Sequence, residues 1–510
     1  LNDDRNFQFR NFESILIEKK ETLMEEYFNR FRKNILGIEQ TFNTPFGDKK
    51  IVYADWTASG RMYAPIEEKM SETFYNFVGN THTETTVTGK TMTIAYKEAH
   101  KIIKNHVKAG VEDVIITCGT GMTGAVSKLQ RILGLKVPEQ VMPLITIEPE
   151  DKPIIFVTHM EHHSNHTSWL VTLADVVHLE PDVNGLVNME QLESLLQRFS
   201  ERKLKIGAFT ACSNVTGIQT NYHQLAELMH NYGGYCFVDF AASAPYIDIN
   251  MHPENPKQKL DAIYFSPHKF LGGPGSAGVL IFDSKLYHNK IPDQPGGGTV
   301  KWTNPWGQYS FFEDIEAKED GGTPGFLQTI RAALAIKLKE EMGVKNILKR
   351  EDEILGIVFS QLEKINGLHI LADNIRHRLA IVSFYIDKIH YNLIVKLLND
   401  LFGIQSRGGC SCAGTYGHYL LHVDISMSNE LTNQIENGCY LDKPGWVRLS
   451  FHPTTTDEEI YFICDAVKFI SDNIQTLEKD YFYNKEMNEF IHKKERNISI
   501  ETKQEWFHLS

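Results

Sequence analysis

"GGYCFVDFAASA", residues 233–244, opens on a glycine pair, runs through a short apolar stretch, and stops at Asp239. Such a run suits a buried strand and is too short for a helix. Three other stretches share the design: "KPIIFVTHMEHHSN" (152–165), "LKIGAFTACSNVTG" (204–217) and "LDAIYFSPHKF" (260–270). Each is a strand running into a polar loop. Helical patterns, such as Leu192 to Phe199 and Tyr222 to Asn231, lie between them. Strands alternating with helices predict βαβ units and a mainly parallel sheet. Ligands bind beyond the carboxyl ends of such strands. The polar residues after each run are therefore candidates for one shared site.

The chain has 510 residues, of which 42% are hydrophobic and 23% charged, ordinary values for a globular protein of more than one domain. A formal net charge of −13 argues against a general nucleic-acid or anionic-membrane surface. Seven scattered cysteines are too few for a disulfide scaffold, and the odd count leaves a free thiol. The first twenty residues are charged and lack an apolar signal core. No apolar run approaches the roughly 20 residues of a membrane-spanning helix. These features predict a cytoplasmic protein.

Residues 12 to 42 carry a helical pattern, which predicts an N-terminal helical arm over 1–45. The alternating body occupies 46–325 and closes in the glycine-rich stretch from Asp293 to Gly325. A long helix is expected from about Phe326 to Lys349. A smaller α/β unit over 326–476 follows, with "LAIVSFYI" and "GWVRLSFH" as strands and "HYNLIVKLLNDLF" and "TDEEIYFICDAVKFISDNI" as helices. Residues 477–510 read as a peripheral helical tail.

Several residues carry chemistry. Lys269 follows a strand and precedes a glycine-rich turn, where an amine can form a Schiff base or simply cap a turn. A carboxylate at the end of an apolar strand, as Asp239 is, needs a positive partner. The cationic ring nitrogen of pyridoxal phosphate would be one, and a structural ion pair another. In "THMEHHSNHTSW" (158–169), His162, His163 and His166 are near enough to ligate zinc, but H-E-x-x-H spacing is absent and no cysteine lies nearby. A flat imidazole stacked on a cofactor ring is the other use. "ITCGTGMTGAV" (116–126) is a strand, a Gly/Thr turn and a helix start, a geometry that suits a phosphate but matches neither nucleotide fingerprint. "SRGGCSCAG" (406–414) offers Cys410 and Cys412, as a metal clasp, a disulfide or a loop presenting one thiol.

Ten landmarks fall in a fixed order: "VYADWTASG", "CGTGMTGA", "MEHHSN", "CSNVTG", "VDFAASA", "SPHK", "GGGTV", "GGTPG", "RGGCSCAG" and "GWVRLSF". Together, from about Ile51 to Ile470, they resemble the class V aminotransferase superfamily of pyridoxal-phosphate enzymes, nearest the cysteine desulfurase and selenocysteine lyase group. The resemblance implies the fold-type I architecture: a large domain with a mainly parallel, seven-stranded sheet and a smaller C-terminal α/β domain. It implies that Lys269 holds the cofactor as a Schiff base, His162 stacks on its ring and Asp239 pairs with the ring nitrogen. Asn214 would lie beside the phenolic oxygen, and Thr120, Gly121, Ser266 and His268 near the phosphate. Thr299, in "GGGTV", would reach the partner subunit's phosphate, which implies a homodimer. Arg448 would grip the substrate carboxylate, with Arg407 and Asn214 nearby. Cys412 would take sulfur from L-cysteine as a persulfide and leave alanine, with a sulfur-acceptor protein downstream.

Two departures stand out. Ala242 occupies the place of the family glutamine three residues after the aspartate, and the segment from Cys412 to Arg448 is long. They keep open a transaminase or an elimination lyase acting on another amino acid without a catalytic thiol. A non-enzymatic sulfur carrier or metal scaffold built on Cys410 and Cys412 is a third reading.

Overall fold

The computed structural model describes residues 23–494 and 506–509. Its central layer is a sheet of seven strands: β1 (Asp113–Cys118), β2 (Ile154–Thr158), β3 (Asp175–Leu179), β4 (Lys205–Thr210), β5 (Tyr235–Asp239), β6 (Ala262–Phe265) and β7 (Gly278–Asp283), in spatial order β1-β7-β6-β5-β4-β2-β3. The pairs from β3 through β6 are parallel, while β7 runs antiparallel to both neighbours. The expected α/β fold with a mainly parallel sheet is therefore what the chain adopts.

The apolar runs have a physical reason. Helices cover both faces, so consecutive strand residues enter different cores. Ile154 and Phe156 pack into one apolar cluster, Ile155 and Val157 into the other. Cys236 and Val238 divide from Phe237 in the same way. The carboxyl ends of β1, β2, β4, β5 and β6 share one edge, and the polar loops lie there.

A second, antiparallel sheet has β8 (Leu368–Ile370), β9 (Ile381–Ile386), β10 (Arg407–Gly409) and β11 (Trp446–Ser450), ordered β8-β9-β11-β10. It has its own apolar core, in which Val382, Phe384, Leu397, Val447 and Val467 meet. The strand Val52–Tyr53 pairs with Ile404–Gln405, and Asp55 bridges to Ser450, which brings the segment before the seven-stranded sheet alongside β11.

Three details differ from expectation. The helix begun at Phe326 ends at Met342 and a second runs Val344–Leu362, because Gly343 takes φ +76°, a conformation that breaks a helix. The N-terminal helix is Leu23–Arg32, its Phe28 and Phe31 buried in the main core, and the chain then forms a hairpin, Thr41–Thr44 with Gly47–Lys50. Residues 1–22 lie outside the described residues. The described tail is a hairpin, Tyr481–Asn484 with Glu489–His492, where a helix was expected. Tyr481 turns in and Phe482 out, the period of a strand, and Asn488 supplies a left-handed turn position at φ +53°. No helix of the described residues is long and apolar enough to cross a membrane.

Candidate active site

The loops at the carboxyl edge of the large sheet enclose a cavity of about 240 Å³. Lys269, Asp239, His162, Asn214, Ser266, His268, Arg407, Arg448 and Cys412 all line it. The residues that follow β2, β4, β5 and β6 thus meet at the edge that strand polarity predicted, and Arg407, Arg448 and Cys412 join them from the second sheet and its loop.

Lys269 sits in a short turn, Pro267–Lys269, directly after β6. Burial, opposed by Asp239 and reinforced by Arg448, pulls its amine down to about 8. Asp239 closes β5, and its Oδ1 accepts the Ala241 N–H at 2.8 Å. Burial pushes its carboxyl up to about 6, with the Ala241 bond and Lys269 pulling the other way. A buried carboxyl of this kind calls for a cationic partner in the cavity.

His162 caps the helix His163–Leu170, its Nδ1 accepting the Ser164 N–H at 3.1 Å. Burial, then Lys269, lowers it to about 3, so the imidazole is neutral at neutral pH. The three histidines of this loop diverge. His163 Nε2 accepts the Gly414 N–H at 2.9 Å, and His166 Nε2 lies 2.7 Å from His178 Nε2. Among the described residues no cluster of three or more His, Cys, Asp or Glu side chains is placed to hold a metal ion.

The helix Met122–Ile132 starts at this edge. Ser266 Oγ accepts its Met122 N–H at 2.8 Å, and His268 Nδ1 donates to the Thr120 carbonyl at 2.8 Å. A Cβ on Gly121 would lie 2.9 Å from Ser266 Oγ and 3.0 Å from His268 Cε1, so the close approach requires glycine. Gly121 supports the cavity wall rather than lining it, and Thr120 faces an adjoining hollow that shares His268. Thr299 is away from the cavity of its own chain: its hydroxyl donates to the Gly296 carbonyl at 2.7 Å.

Across the cavity, Arg448 on β11 is 3% exposed. Its Nη2 donates to Asp55 Oδ1 at 2.6 Å and its Nη1 to the Asn214 carbonyl at 3.0 Å. Arg407 on β10 reaches the other oxygen of Asp55 at 3.0 Å. Cys412 is exposed and follows Ser411. Both have left-handed backbone, φ +58° and +48°. Cys410 is half-buried and packs toward Trp446 and Tyr416, away from the lining.

Sequence reasoning missed Asp55, Thr57, Thr123, Thr210, Cys212 and Ser411, which also form or brace the site. Asp55 had a signal: it stands in the landmark "VYADWTASG", and two arginines elsewhere lacked carboxylates. Thr57, Thr123, Cys212 and Ser411 also stand inside landmarks, and Thr210 just before one, but they are small residues whose neighbours in the site are remote in sequence.

A model of the family described as aminotransferase class-V matches residues 52–462. The chain belongs to the class-V aminotransferase family. It is accordingly a pyridoxal-phosphate-dependent enzyme. A probable cysteine desulfurase of Halalkalibacterium halodurans is 27% identical over 369 residues, covering 71% of this chain and 84% of that protein. Another, from Staphylococcus aureus, is 26% identical over 370 residues, covering 72% and 84%. Among solved structures, a cysteine desulfurase from Thermococcus onnurineus aligns with TM-score 0.68 and 22% identity over 87% of this chain and 98% of that one. One from Escherichia coli aligns with TM-score 0.66 and 21% identity over 88% and 98%. These likenesses place the class-V chain in the fold-type I architecture.

The cavity fits that family's cofactor. Asn214 Oδ1 and Arg448 Nε are buried there without a hydrogen-bond partner among the described residues. Orphaned polar atoms in a cavity await a polar ligand. An amine, a carboxyl and a neutral imidazole converge on the same space, as a ring with an aldehyde and a basic nitrogen requires.

Proposed function

We propose that the protein is a cysteine desulfurase. The observation that carries this reading is the convergence of Lys269, Arg448 and the thiol loop of Cys412 on one cavity. When bound, pyridoxal phosphate supplies an electron sink for the substrate's α-carbon. Lys269 would hold it and move the α-proton, and its lowered pKa suits a base near neutral pH. His162 would cover one ring face, and Asp239 would meet the ring nitrogen. Ser266, His268 and the Thr120–Gly121 turn would hold the phosphate, and Asn214 the phenolic oxygen. Arg448, oriented by Asp55, would take the α-carboxylate as a bidentate fork. The Cys412 thiolate would attack the sulfur of L-cysteine. An S–S bond forms, the C–S bond breaks with its electron pair left on the three-carbon fragment, and that fragment takes a proton and departs as alanine.

The same reading includes a homodimer in which Thr299 serves the partner's site. Supporting it, the neighbouring hairpin, Val300–Thr303 with Tyr309–Phe311, exposes Trp302, Trp306 and Tyr309, an aromatic patch of the kind that marks an interface. It also includes a division near residue 325 between a large and a small domain, supported by the two sheets with separate cores. A cytoplasmic site of action and a sulfur-acceptor protein complete it. The first is supported by seven cysteines that are all unpaired.

The test is to supply L-cysteine and reductant and to assay alanine and sulfide. Both should appear in equal amounts, and Cys412→Ala should lower turnover at least 100-fold. A Cys412→Ala enzyme with unchanged turnover removes the thiol from the mechanism. One observation favours the second reading, transamination or elimination on another amino acid: Ala242 lines the cavity and offers no side-chain donor where the family has an amide. That reading predicts turnover indifferent to Cys412.

A further inference from the structure

Cys412 stands on a loop whose backbone holds two consecutive left-handed, non-glycine residues, Ser411 and Cys412. Such conformations persist only where the surroundings over-determine them. Two external ties come from one residue. The His163 N–H donates to the Cys412 carbonyl at 2.8 Å, and the Gly414 N–H donates to His163 Nε2 at 2.9 Å. Both ties fall just after the carbon that bears the thiol. Gly414 permits this, since a Cβ there would lie 3.1 Å from His163 Nε2. Asn214 Nδ2 adds a bond to the Ser411 carbonyl at 2.7 Å. One helix start thus offers two adjacent imidazoles with different work: His162 lines the cavity, and His163 holds the thiol loop.

We propose that His163 is a positioning residue that clasps the Cys412 loop, and that protonation of its imidazole opens the clasp. The bond from Gly414 needs an acceptor at Nε2, and an imidazolium has only donors. The titratable and charged groups that face His163 are Lys443, His162 and His166. None is a carboxylate that would stabilise the cation. Burial first, and Lys443 second, hold His163 below the ordinary histidine value, so the clasp is closed at neutral pH and opens in acid. The inference rests on Cys412 being the reacting thiol for its meaning, though not for its test.

The test is the rate at which iodoacetamide alkylates Cys412 in the cofactor-loaded enzyme, read by peptide mass from about pH 8 to about pH 5. Wild type, His163→Ala and His163→Gln are compared at each pH. The loss of one hydrogen bond should speed alkylation in His163→Ala roughly three- to tenfold at the upper end. His163→Gln, whose amide oxygen can accept the Gly414 N–H, should stay close to wild type there. Toward the lower end the wild type should converge on His163→Ala, while His163→Gln stays protected. Fully buried Cys236 must remain unmodified in a folded variant. If His163→Ala unfolds, the comparison of wild type with His163→Gln across pH decides alone. Equal rates in all folded forms, or a ratio that ignores pH, overturn the proposal. Full alanine production by Cys412→Ala would sink the desulfurase reading while leaving these ratios to judge the clasp.

Discussion

Asp55 is the residue on which two cations depend. It holds Arg448 at 2.6 Å and Arg407 at 3.0 Å, and Arg448 is almost wholly buried. Removing one partner of a buried pair leaves an uncompensated charge, costing about 3 kcal/mol or more. Asp55→Ala should lower the denaturation midpoint and raise the KM for the amino acid, because Arg448 loses its orientation. An unchanged KM would assign Asp55 to stability alone. Lys269 yields a pH prediction. Its amine is depressed to about 8, so the neutral, nucleophilic form grows as pH rises through that value. Uptake of pyridoxal phosphate by the cofactor-free chain, followed by visible absorbance, should accelerate through about pH 8 and level above it. A flat profile would contradict the assignment. The place of Asp239 and Lys269 at the cavity was legible in the sequence because Asp239 ends an apolar run and Lys269 closes the short turn after the next one. The role of Asp55 was not, since its partners lie 352 and 393 positions away.

The elements at the carboxyl edge are joined by a buried carboxyl beneath the histidine loop. Glu161 Oε1 accepts from Thr158 Oγ1 at 2.7 Å at the end of β2 and from the Thr210 N–H at 2.8 Å at the end of β4. Its Oε2 accepts from Asn165 Nδ2 at 2.7 Å, on the helix that His162 caps. Burial pushes Glu161 up to about 8 while these donors pull it down. Glu161→Ala orphans several donors and should cost on the order of 3 kcal/mol in stability. Glu161→Gln should also destabilise, because its amide would set a donor against Asn165 Nδ2. A neutral Glu161→Gln would show that the side chain merely fills space. Strands were readable at this scale because covered parallel strands are apolar throughout. The helix Ile425–Glu436 was not, since no residue on it is buried and its exposed Ile425 and Met427 carry no helical stripe. The break at Gly343 escaped because apolar periodicity continues across it, and the tail hairpin because its inward and outward residues are both aromatic.

For the whole molecule, order along the chain gave the architecture, while assembly depends on surfaces that no short pattern reveals. Thr299 spends its hydroxyl on Gly296 and lies away from its own cavity, and the hairpin beside it exposes tryptophans. Mixing inactive Lys269→Ala with inactive Thr299→Val should restore part of the activity, because each mixed dimer regains one intact site. No recovery from exchanging subunits would place Thr299 outside the partner's site. The central claim, that Cys412 receives sulfur beside a cofactor held by Lys269, is tested most directly by a single turnover. Enzyme is mixed with an equal amount of L-cysteine without reductant, quenched, digested and weighed. One added sulfur atom should appear on the peptide carrying Cys412, with one alanine released per site, and neither should appear in Lys269→Ala. Alanine released at the wild-type rate with no sulfur gained at Cys412 would contradict it.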